Sequence, residues 1–263
     1  MKTVFETFEE WVSIQPEKLL YSFLDINGDI KESYTYSSFE KRVAIISCNL
    51  RSRYNFRRND KILLAFPPGI ETICAFFACV RNGLIPVPTY PPTTSGFQSA
   101  YSKMVYIATD CDAKAVLTSD EYFWNLKLNV AKNNIQENNI LTKILWINTG
   151  EFIEHAPTSI QSPVEADFLF LQYTSGSTSE PKGVMVSHQN IIHNAELAVD
   201  HMPIGITWLP QYHDMGLIGY YLFFALQGGT TYGFSSYDFI KKPALWLETI
   251  TKYGGTATSK IIL

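Results

Sequence analysis

Short apolar segments alternate with helix-length segments along most of this chain. The clearest apolar runs are KILLAF (61–66), KAVLT (114–118) and KILWI (143–147), and each has the length of a buried strand. Strands covered on both faces are apolar throughout, and their alternation with helices of about 10 to 15 residues indicates βαβ units. We therefore predict an α/β fold in which layered parallel sheets carry helices on both faces.

The remaining elements follow the same periodicity. A strand over 32–37 leads into a helix, and Ser37 and Glu40 have the spacing of a capping box at its start. Gly83 is expected to end the helix that begins near residue 70. Further strands are predicted over 84–88, 167–173, 205–210 and 230–235, and further helices over 99–110, 120–133, 188–202, 215–226 and 242–255.

Charge and apolar content exclude several classes of protein. A net charge of −4 and a pI near 5.8 argue against nucleic acid as a partner. The longest apolar run, 215–226, is shorter than the roughly 20 residues that a transmembrane helix needs. Three glutamates within the first ten residues argue against a signal peptide, and none of the four cysteines forms a CxxC pair. We expect buried thiols and a cytoplasmic protein.

The stretch YTSGSTSEPKG (173–183) combines several hydroxyl side chains with two glycines and one lysine. Short donors, backbone amides and a cation with little steric bulk suit phosphate, whereas a polar surface loop is the competing interpretation. Because the loop follows a buried strand, we expect it at the carboxyl end of a parallel sheet, where ligands bind. Gly183 either admits a ligand close to the backbone or takes a positive φ. The stretch is not a Walker A loop, because Lys182 stands between Pro181 and Gly183.

Three stretches carry a family resemblance. YTSGSTSEPKGV (173–184) resembles the phosphate-binding signature of adenylate-forming enzymes, in which glycine usually stands at the position of Ser179. WLPQYHDMGLIG (208–219) and PVPTYPP (86–92) resemble further signatures of the superfamily, in the style of fatty acyl-AMP ligases. The resemblance extends from about residue 5 to about residue 255 and is lost in TATSKIIL (256–263).

The resemblance implies a reaction and a set of binding residues. A fatty acid would react with Mg-ATP to give acyl-AMP and pyrophosphate, and the acyl group would pass to an acyl carrier protein of a polyketide or peptide synthase system. Mg²⁺ would be held mainly by the ATP phosphates, so no protein residue is assigned to the metal. The implied cofactor-binding residues of the loop are Thr174, Ser175, Gly176, Ser177, Thr178, Lys182 and Gly183.

The WLPQYHDMG stretch would serve the fatty acid. By resemblance, His213 lies where the acyl carboxylate meets the nucleotide, although a purely structural histidine at a helix start is the alternative. Asp214 is expected to cap the helix that follows. Trp208, Tyr212, Met215 and Gly216 are weaker candidates for the acyl site, since aromatic residues at such spacing also form core.

The match with the family pattern is incomplete at the carboxyl end. The adenine-binding strand, the ribose-binding aspartate and the carboxyl-terminal domain with its catalytic lysine have no counterpart in these 263 residues. We expect an amino-terminal portion that is inactive alone, with a first subdomain over 1–166 and an incomplete second over 167–263. A portion of an acyl-CoA ligase and a non-catalytic binding module remain as alternatives.

Overall fold

The computed structural model describes residues 2–93, 96–133, 139–152, 166–174, 180–198 and 203–258. Contacts divide the chain into two units that are each assembled from separate segments. The first unit consists of Met1–Arg42, Pro68–Ile73 and His188–Leu263, and the second of Val43–Pro67 and Cys74–Ser187. This division differs from the contiguous one expected at residue 166, because the amino-terminal strands share a sheet with strands that follow residue 203.

Helices and strands alternate along much of the chain. The helices are α1 (Val4–Ile14), α2 (Tyr36–Arg53), α3 (Glu71–Arg81), α4 (Phe97–Asp110), α5 (Asp120–Lys132), α6 (His188–Ala198), α7 (Asp214–Gly216), α8 (Phe223–Leu226), α9 (Ser236–Lys241) and α10 (Ala244–Tyr253). The strands are β1 (Leu19–Leu24), β2 (Ile30–Thr35), β3 (Lys61–Leu64), β4 (Ile85–Pro88), β5 (Ala115–Thr118), β6 (Leu145–Asn148), β7 (Phe170–Thr174), β8 (Lys182–Val186), β9 (Ile204–Thr207) and β10 (Thr230–Gly233).

The first unit contains a four-stranded sheet in the order β2-β1-β10-β9. The pairs β1–β10 and β10–β9 are parallel, and β2 is antiparallel to β1. Its core is rich in aromatic side chains: Tyr21 and Phe39 meet edge to face with ring centroids 5.1 Å apart. The Tyr21 hydroxyl donates to the Tyr221 carbonyl at 2.6 Å, so this buried phenol has the partner that it needs.

Helix α2 begins with a capping box, but not at the predicted residues. Thr35 and Ser38 exchange hydrogen bonds: the Thr35 amide donates to Ser38 Oγ at 2.8 Å, and the Ser38 amide donates to Thr35 Oγ1 at 3.1 Å. The prediction of Ser37 and Glu40 was therefore wrong by two residues. Strand β2 stays paired as far as Thr35, and Tyr36 is fully buried, so the helix starts before Ser37.

The second unit contains a parallel sheet in the order β4-β3-β5-β6. Apolar side chains of this sheet and of α4 and α5 form one core cluster, which includes Leu63, Val87, Met104, Val116 and Leu126. Helix α3 ends at Arg81, and Gly83 terminates it as predicted: its φ is +68°, and its amide donates to the Val80 carbonyl at 3.1 Å. The α/β class with parallel sheets is confirmed.

The strand before the polar loop is not part of that parallel sheet. β7 pairs with β8 as a two-stranded antiparallel hairpin, with Phe170 opposite Val186 and Thr174 opposite Lys182. The loop therefore joins two strands of a hairpin. The expectation that it occupies the carboxyl end of a strand in a parallel sheet was wrong, because among the described strands β7 pairs with β8 alone, in antiparallel orientation.

The apolar segment predicted as a helix over 215–226 is helical but irregular. It opens with α7, continues as a π-helical segment over Leu217–Leu222 and closes with α8. π-helical turns are rare and occur frequently at functional sites. Within the ranges that the structure describes, no helix has both the length and the apolar character needed to cross a membrane.

Candidate functional site

The β7–β8 hairpin presents two of the predicted phosphate ligands. Thr174 and Lys182 are both exposed and lie opposite each other at the end of the strand pair. Lys182 takes part in none of the ion pairs found among the described residues, and its side chain is exposed. The other predicted loop residues, Ser175, Gly176, Ser177 and Thr178, lie outside the described residues.

Gly183 has a structural reason to be glycine. A Cβ at this position would lie 2.9 Å from Cζ and 3.1 Å from the hydroxyl of Tyr173, its cross-strand partner. Gly183 does not belong to the glycines with positive φ. The structure thus gives a reason that neither sequence-based argument anticipated: the absence of a side chain lets the Tyr173 ring lie across β8.

Tyr173 also ties the hairpin to helix α4. Its hydroxyl donates to Oδ2 of Asp110 at 2.5 Å. Burial, together with this hydrogen bond to a carboxylate, raises the pKa of Tyr173 above its ordinary value, so the phenol remains a proton donor at neutral pH. A second contact from α4, from the Tyr106 hydroxyl to Oε2 of Glu180 at 3.4 Å, reaches the other end of the loop.

The start of β7 is held by a separate group of polar contacts. The Asp167 carboxylate accepts from the Arg58 guanidinium at 2.7 Å and from the side-chain amide of Asn59 at 2.8 Å. The backbone amide of Asp167 donates to the side-chain oxygen of Asn59 at 2.9 Å. Both charged side chains are about half exposed, so their ion pair contributes little stability by itself. The reciprocal bonds with Asn59 instead fix the direction in which the chain enters β7.

In the first unit, the segment after β9 forms a tightly bonded turn. The His213 amide donates to the Pro210 carbonyl at 3.1 Å, and the Leu217 amide to the His213 carbonyl at 2.9 Å. The buried side chain of Gln211 accepts from the Gly69 amide at 3.2 Å and donates to the Gly69 carbonyl at 2.8 Å. This reciprocal pair fixes the turn to the loop that contains Gly69.

His213 and Asp214 form a side-chain pair at the start of α7. Nδ1 of His213 lies 2.5 Å from Oδ1 of Asp214, and that same oxygen accepts from the Met215 amide at 2.7 Å. His213 itself occupies the cap position, with φ −100° and ψ 142°, so the prediction of Asp214 as the cap was off by one residue. The pair with Asp214 therefore fixes the orientation of the imidazole ring.

The weaker acyl-site candidates fall into two groups. Trp208 stacks on Phe239 with centroids 4.0 Å apart and belongs to an apolar cluster, which favours a core role. A Cβ on Gly216 would lie 2.1 Å from the Pro210 carbonyl oxygen, so this glycine is required by the turn itself. Met215 is 43% exposed and Tyr212 is partly buried, and both remain candidates for contact with a substrate.

The buried Gln211 and Tyr221 form a polar group with the partly buried Glu32, which the sequence did not reveal. Tyr221 is 1% exposed, and its burial raises its pKa although the Gln211 side chain hydrogen-bonds to it. Burial likewise raises the pKa of Glu32, whose Oε2 accepts from the Ile70 amide at 3.4 Å. In the sequence Gln211 stands between Pro210 and Tyr212, but a single polar residue in a turn does not indicate a buried polar group.

Comparison with known proteins identifies the relatives of this chain. The family model described as AMP-binding enzyme matches residues 8–260. The medium-chain-fatty-acid–[acyl-carrier-protein] ligase JamA of Moorena producens is 30% identical over 91% of this chain and 40% of its own length. The long-chain-fatty-acid–AMP ligase FadD32 of Mycolicibacterium smegmatis is 25% identical over 94% of this chain and 39% of its own length.

Solved structures agree with these relatives. The fatty acyl-adenylate ligase from L. pneumophila, in complex with acyl adenylate and pyrophosphate, matches with a TM-score of 0.84 and 30% identity over 98% of this chain. McyG A-PCP, complexed with phenylalanyl-adenylate, matches with a TM-score of 0.85 at 19% identity, which shows a shared fold. The chain spans 44% of the former structure and 40% of the latter.

Proposed function

Because the chain belongs to the family of AMP-binding enzymes, we propose that the protein containing it is an adenylate-forming ligase that activates a fatty acid. A carboxylate oxygen of the fatty acid attacks the α-phosphorus of ATP, and the bond from that phosphorus to the bridging oxygen of pyrophosphate breaks. The products are acyl-AMP and pyrophosphate. The relatives named as fatty-acid ligases support this substrate class.

One observation carries the proposal most directly. The hairpin places the exposed Thr174 and Lys182 opposite each other at the two ends of the hydroxyl-rich loop. The ammonium of Lys182 would screen the charge that develops on the departing pyrophosphate, and hydroxyls and amides of the loop would bind its oxygens. We assign Thr174, Ser175, Gly176, Ser177, Thr178 and Lys182 to the β- and γ-phosphates.

His213 would serve the fatty carboxylate. With Nδ1 paired to Asp214, the ring has a defined orientation, and Nε2 can direct a carboxylate by hydrogen bonding when it carries a proton. Asp214 therefore acts as the residue that orients His213. Met215 and Tyr212, as partly accessible neighbours, would contact the acyl chain.

Mg²⁺ is the metal that ATP chemistry requires. Within the part of the chain that the structure describes, His, Cys, Asp and Glu side chains form no group of three or more that could hold a metal ion. Hydroxyls and a lysine are a donor set for phosphate, and Mg²⁺ is commonly carried by the phosphates themselves. The ion would neutralise phosphate charge, while Lys182 and the loop position the triphosphate.

An acyl carrier protein would accept the acyl group. JamA and TtuA are both named as ligases of fatty acid to acyl-carrier-protein, and at 30% and 28% identity they favour this acceptor over coenzyme A. A polyketide or peptide synthase system would supply the carrier. Three cysteines are buried and one is partly buried, which agrees with a reducing, ATP-containing compartment such as the cytoplasm.

The test is fatty-acid-dependent exchange of labelled pyrophosphate into ATP, with acyl-AMP identified by mass spectrometry. Medium-chain and long-chain fatty acids should each be offered, first alone and then with a carrier protein or coenzyme A. Adenylate formation followed by loading of the carrier protein is the expected result. Formation of an acyl-CoA thioester would mean that coenzyme A, and not a carrier protein, is the acceptor. Nucleotide binding without any exchange would indicate a non-catalytic module.

A further inference from the structure

Helix α4 contacts both ends of the loop that joins β7 to β8, through two residues one helical turn apart. Tyr106 and Asp110 are four residues apart, so they lie on one face of α4. Asp110 accepts from Tyr173, which directly precedes the loop, and Tyr106 donates to Glu180, which is near its end. A hairpin and a helix are thereby joined on either side of the residues that would hold the phosphates.

Tyr173 connects three elements at once. Its backbone belongs to β7, its ring lies across Gly183 of β8, and its hydroxyl reaches Asp110 at the end of α4. A bond from a phenol to a carboxylate at 2.5 Å is a charge-assisted hydrogen bond, the stronger class. The longer bond from Tyr106 to Glu180, at 3.4 Å, is a weaker second attachment.

The hairpin needs such an attachment for a physical reason. A two-stranded antiparallel pair is marginally stable in water unless it packs against other elements. β7 is packed at its start, where Phe170 is fully buried and meets the Phe76 ring with centroids 5.5 Å apart, whereas the loop end of the hairpin is attached through Tyr173. β8 contributes little burial, because Val184 and Met185 are 49% and 60% exposed. Its position therefore depends on pairing with β7 and on what holds β7.

We propose that Asp110, Tyr173 and Gly183 form a lock that holds the β7–β8 hairpin against α4 and so positions Thr174 and Lys182 for the triphosphate. The three are positioning residues: they act through the hairpin and do not touch the nucleotide. The effect on ATP rests on the proposed function, whereas the effect on the hairpin does not.

Amide hydrogen exchange of the intact protein tests the lock without reference to activity. Tyr173→Phe keeps the ring over Gly183 and removes the bond to Asp110, and Asp110→Asn weakens the same bond. Both variants should exchange the amides of β7 and β8 at least about tenfold faster than wild type. Asp112→Asn is the matched control, since the Asp112 carboxylate pairs with Lys114 at the same end of α4 and should leave the hairpin unchanged.

A substitution at Gly183 separates the lock from direct phosphate binding. Gly183→Ala collides with the Tyr173 ring, so it should lower kcat/KM for ATP by about 10- to 100-fold, because displacing a positioned group by about 1 Å can reduce the rate about a hundredfold. In a Tyr173→Leu background the ring is absent, and adding Gly183→Ala should then cause little further loss. An equal loss in both backgrounds would mean that Gly183 serves the phosphate directly, and would overturn its place in the lock.

Hydrogen exchange and the kinetics with ATP test different parts of the proposal. Unchanged hydrogen exchange in both Tyr173→Phe and Asp110→Asn would overturn the lock. Faster exchange with an unaltered kcat/KM for ATP would overturn its positioning role. Absence of any adenylation by the wild-type protein would overturn the proposed function, while hydrogen exchange would still decide whether Asp110 and Tyr173 hold the hairpin.

Discussion

The exposed ammonium of Lys182 is the single side chain on which the proposed phosphate chemistry depends most. Lys182→Ala should lower kcat/KM for ATP, because loss of one positioned donor to developing charge costs about 2 to 4 kcal/mol in the transition state. Pyrophosphate exchange measures this directly. Lys114→Ala is the control, because this lysine pairs with Asp112 and should not affect exchange. Equal activity of Lys182→Ala and wild type would show that the loop does not bind the phosphates.

Substitution of His213 should affect the use of the fatty acid more than the use of ATP. His213→Ala should raise the KM for the fatty acid about tenfold or more, with a smaller change for ATP, since the ring is assigned to the carboxylate. Asp214→Asn should give a smaller shift in the same direction, because it removes the charge paired with Nδ1. His193→Ala, an exposed position on α6, is the control. A selective rise in the KM for ATP would contradict the assignment.

The raised pKa of Glu32 predicts that the free energy of unfolding depends on pH. Burial raises its pKa in the folded protein above the unfolded value of 4.5, so the folded state binds the proton more tightly. The stability contribution of Glu32 is therefore fully present below pH 4.5 and declines as pH rises through the folded pKa. Glu32→Gln removes this decline, so the variant should gain unfolding temperature over wild type as pH increases from about 4 to 7. Glu17→Gln, at an exposed position, should show no such trend.

At the scale of elements, apolar periodicity predicted buried strands such as β3 and β5, and it missed both the buried β1 and the exposed β8. β3 and β5 read as continuous apolar runs because neighbours cover them on both faces. β8 begins with Lys182 and Gly183 after a proline, which is the pattern of a turn, and its residues are mostly exposed. β8 is a strand because its backbone pairs with β7. Backbone pairing of an exposed strand does not require alternating or continuous apolar residues, so the sequence of β8 gives no sign of it.

The shifted capping box of α2 predicts where a single hydroxyl matters for stability. Thr35→Ala should lower the free energy of unfolding by about 0.5 to 2 kcal/mol, because the Ser38 amide loses its acceptor. Ser37→Ala should have little effect, although its sequence spacing to Glu40 resembles a capping box. Chemical denaturation of both variants measures the difference. A larger loss in Ser37→Ala than in Thr35→Ala would contradict the observed start of α2.

At the scale of the whole molecule, local motifs suggest candidate residues but do not indicate how the chain divides into two units. Lys182 and His213 follow from local motifs, which persist whatever the chain does elsewhere. The two units depend on distant pairings such as that of Tyr21 with Thr231 in parallel strands. His188 shows the same dependence: its buried Nδ1 accepts from the Val4 amide at the start of α1, a contact that no spacing in the sequence indicates.

The last prediction concerns the 263 residues expressed by themselves. In-line transfer to the α-phosphorus needs base, ribose and triphosphate held together, since a displacement of about 1 Å can reduce the rate a hundredfold. The described residues include the β7–β8 hairpin and the turn that carries His213. More than half the length of JamA and FadD32 lies outside the match, which covers 40% and 39% of them. With Mg-ATP and a medium-chain fatty acid, this polypeptide should form no acyl-AMP at an enzyme-like rate by mass spectrometry. Any residual binding of ATP, measured by calorimetry, should weaken in Lys182→Ala and persist in Lys114→Ala. Acyl-AMP formed at a rate comparable to that of the relatives would show that these residues suffice for the reaction.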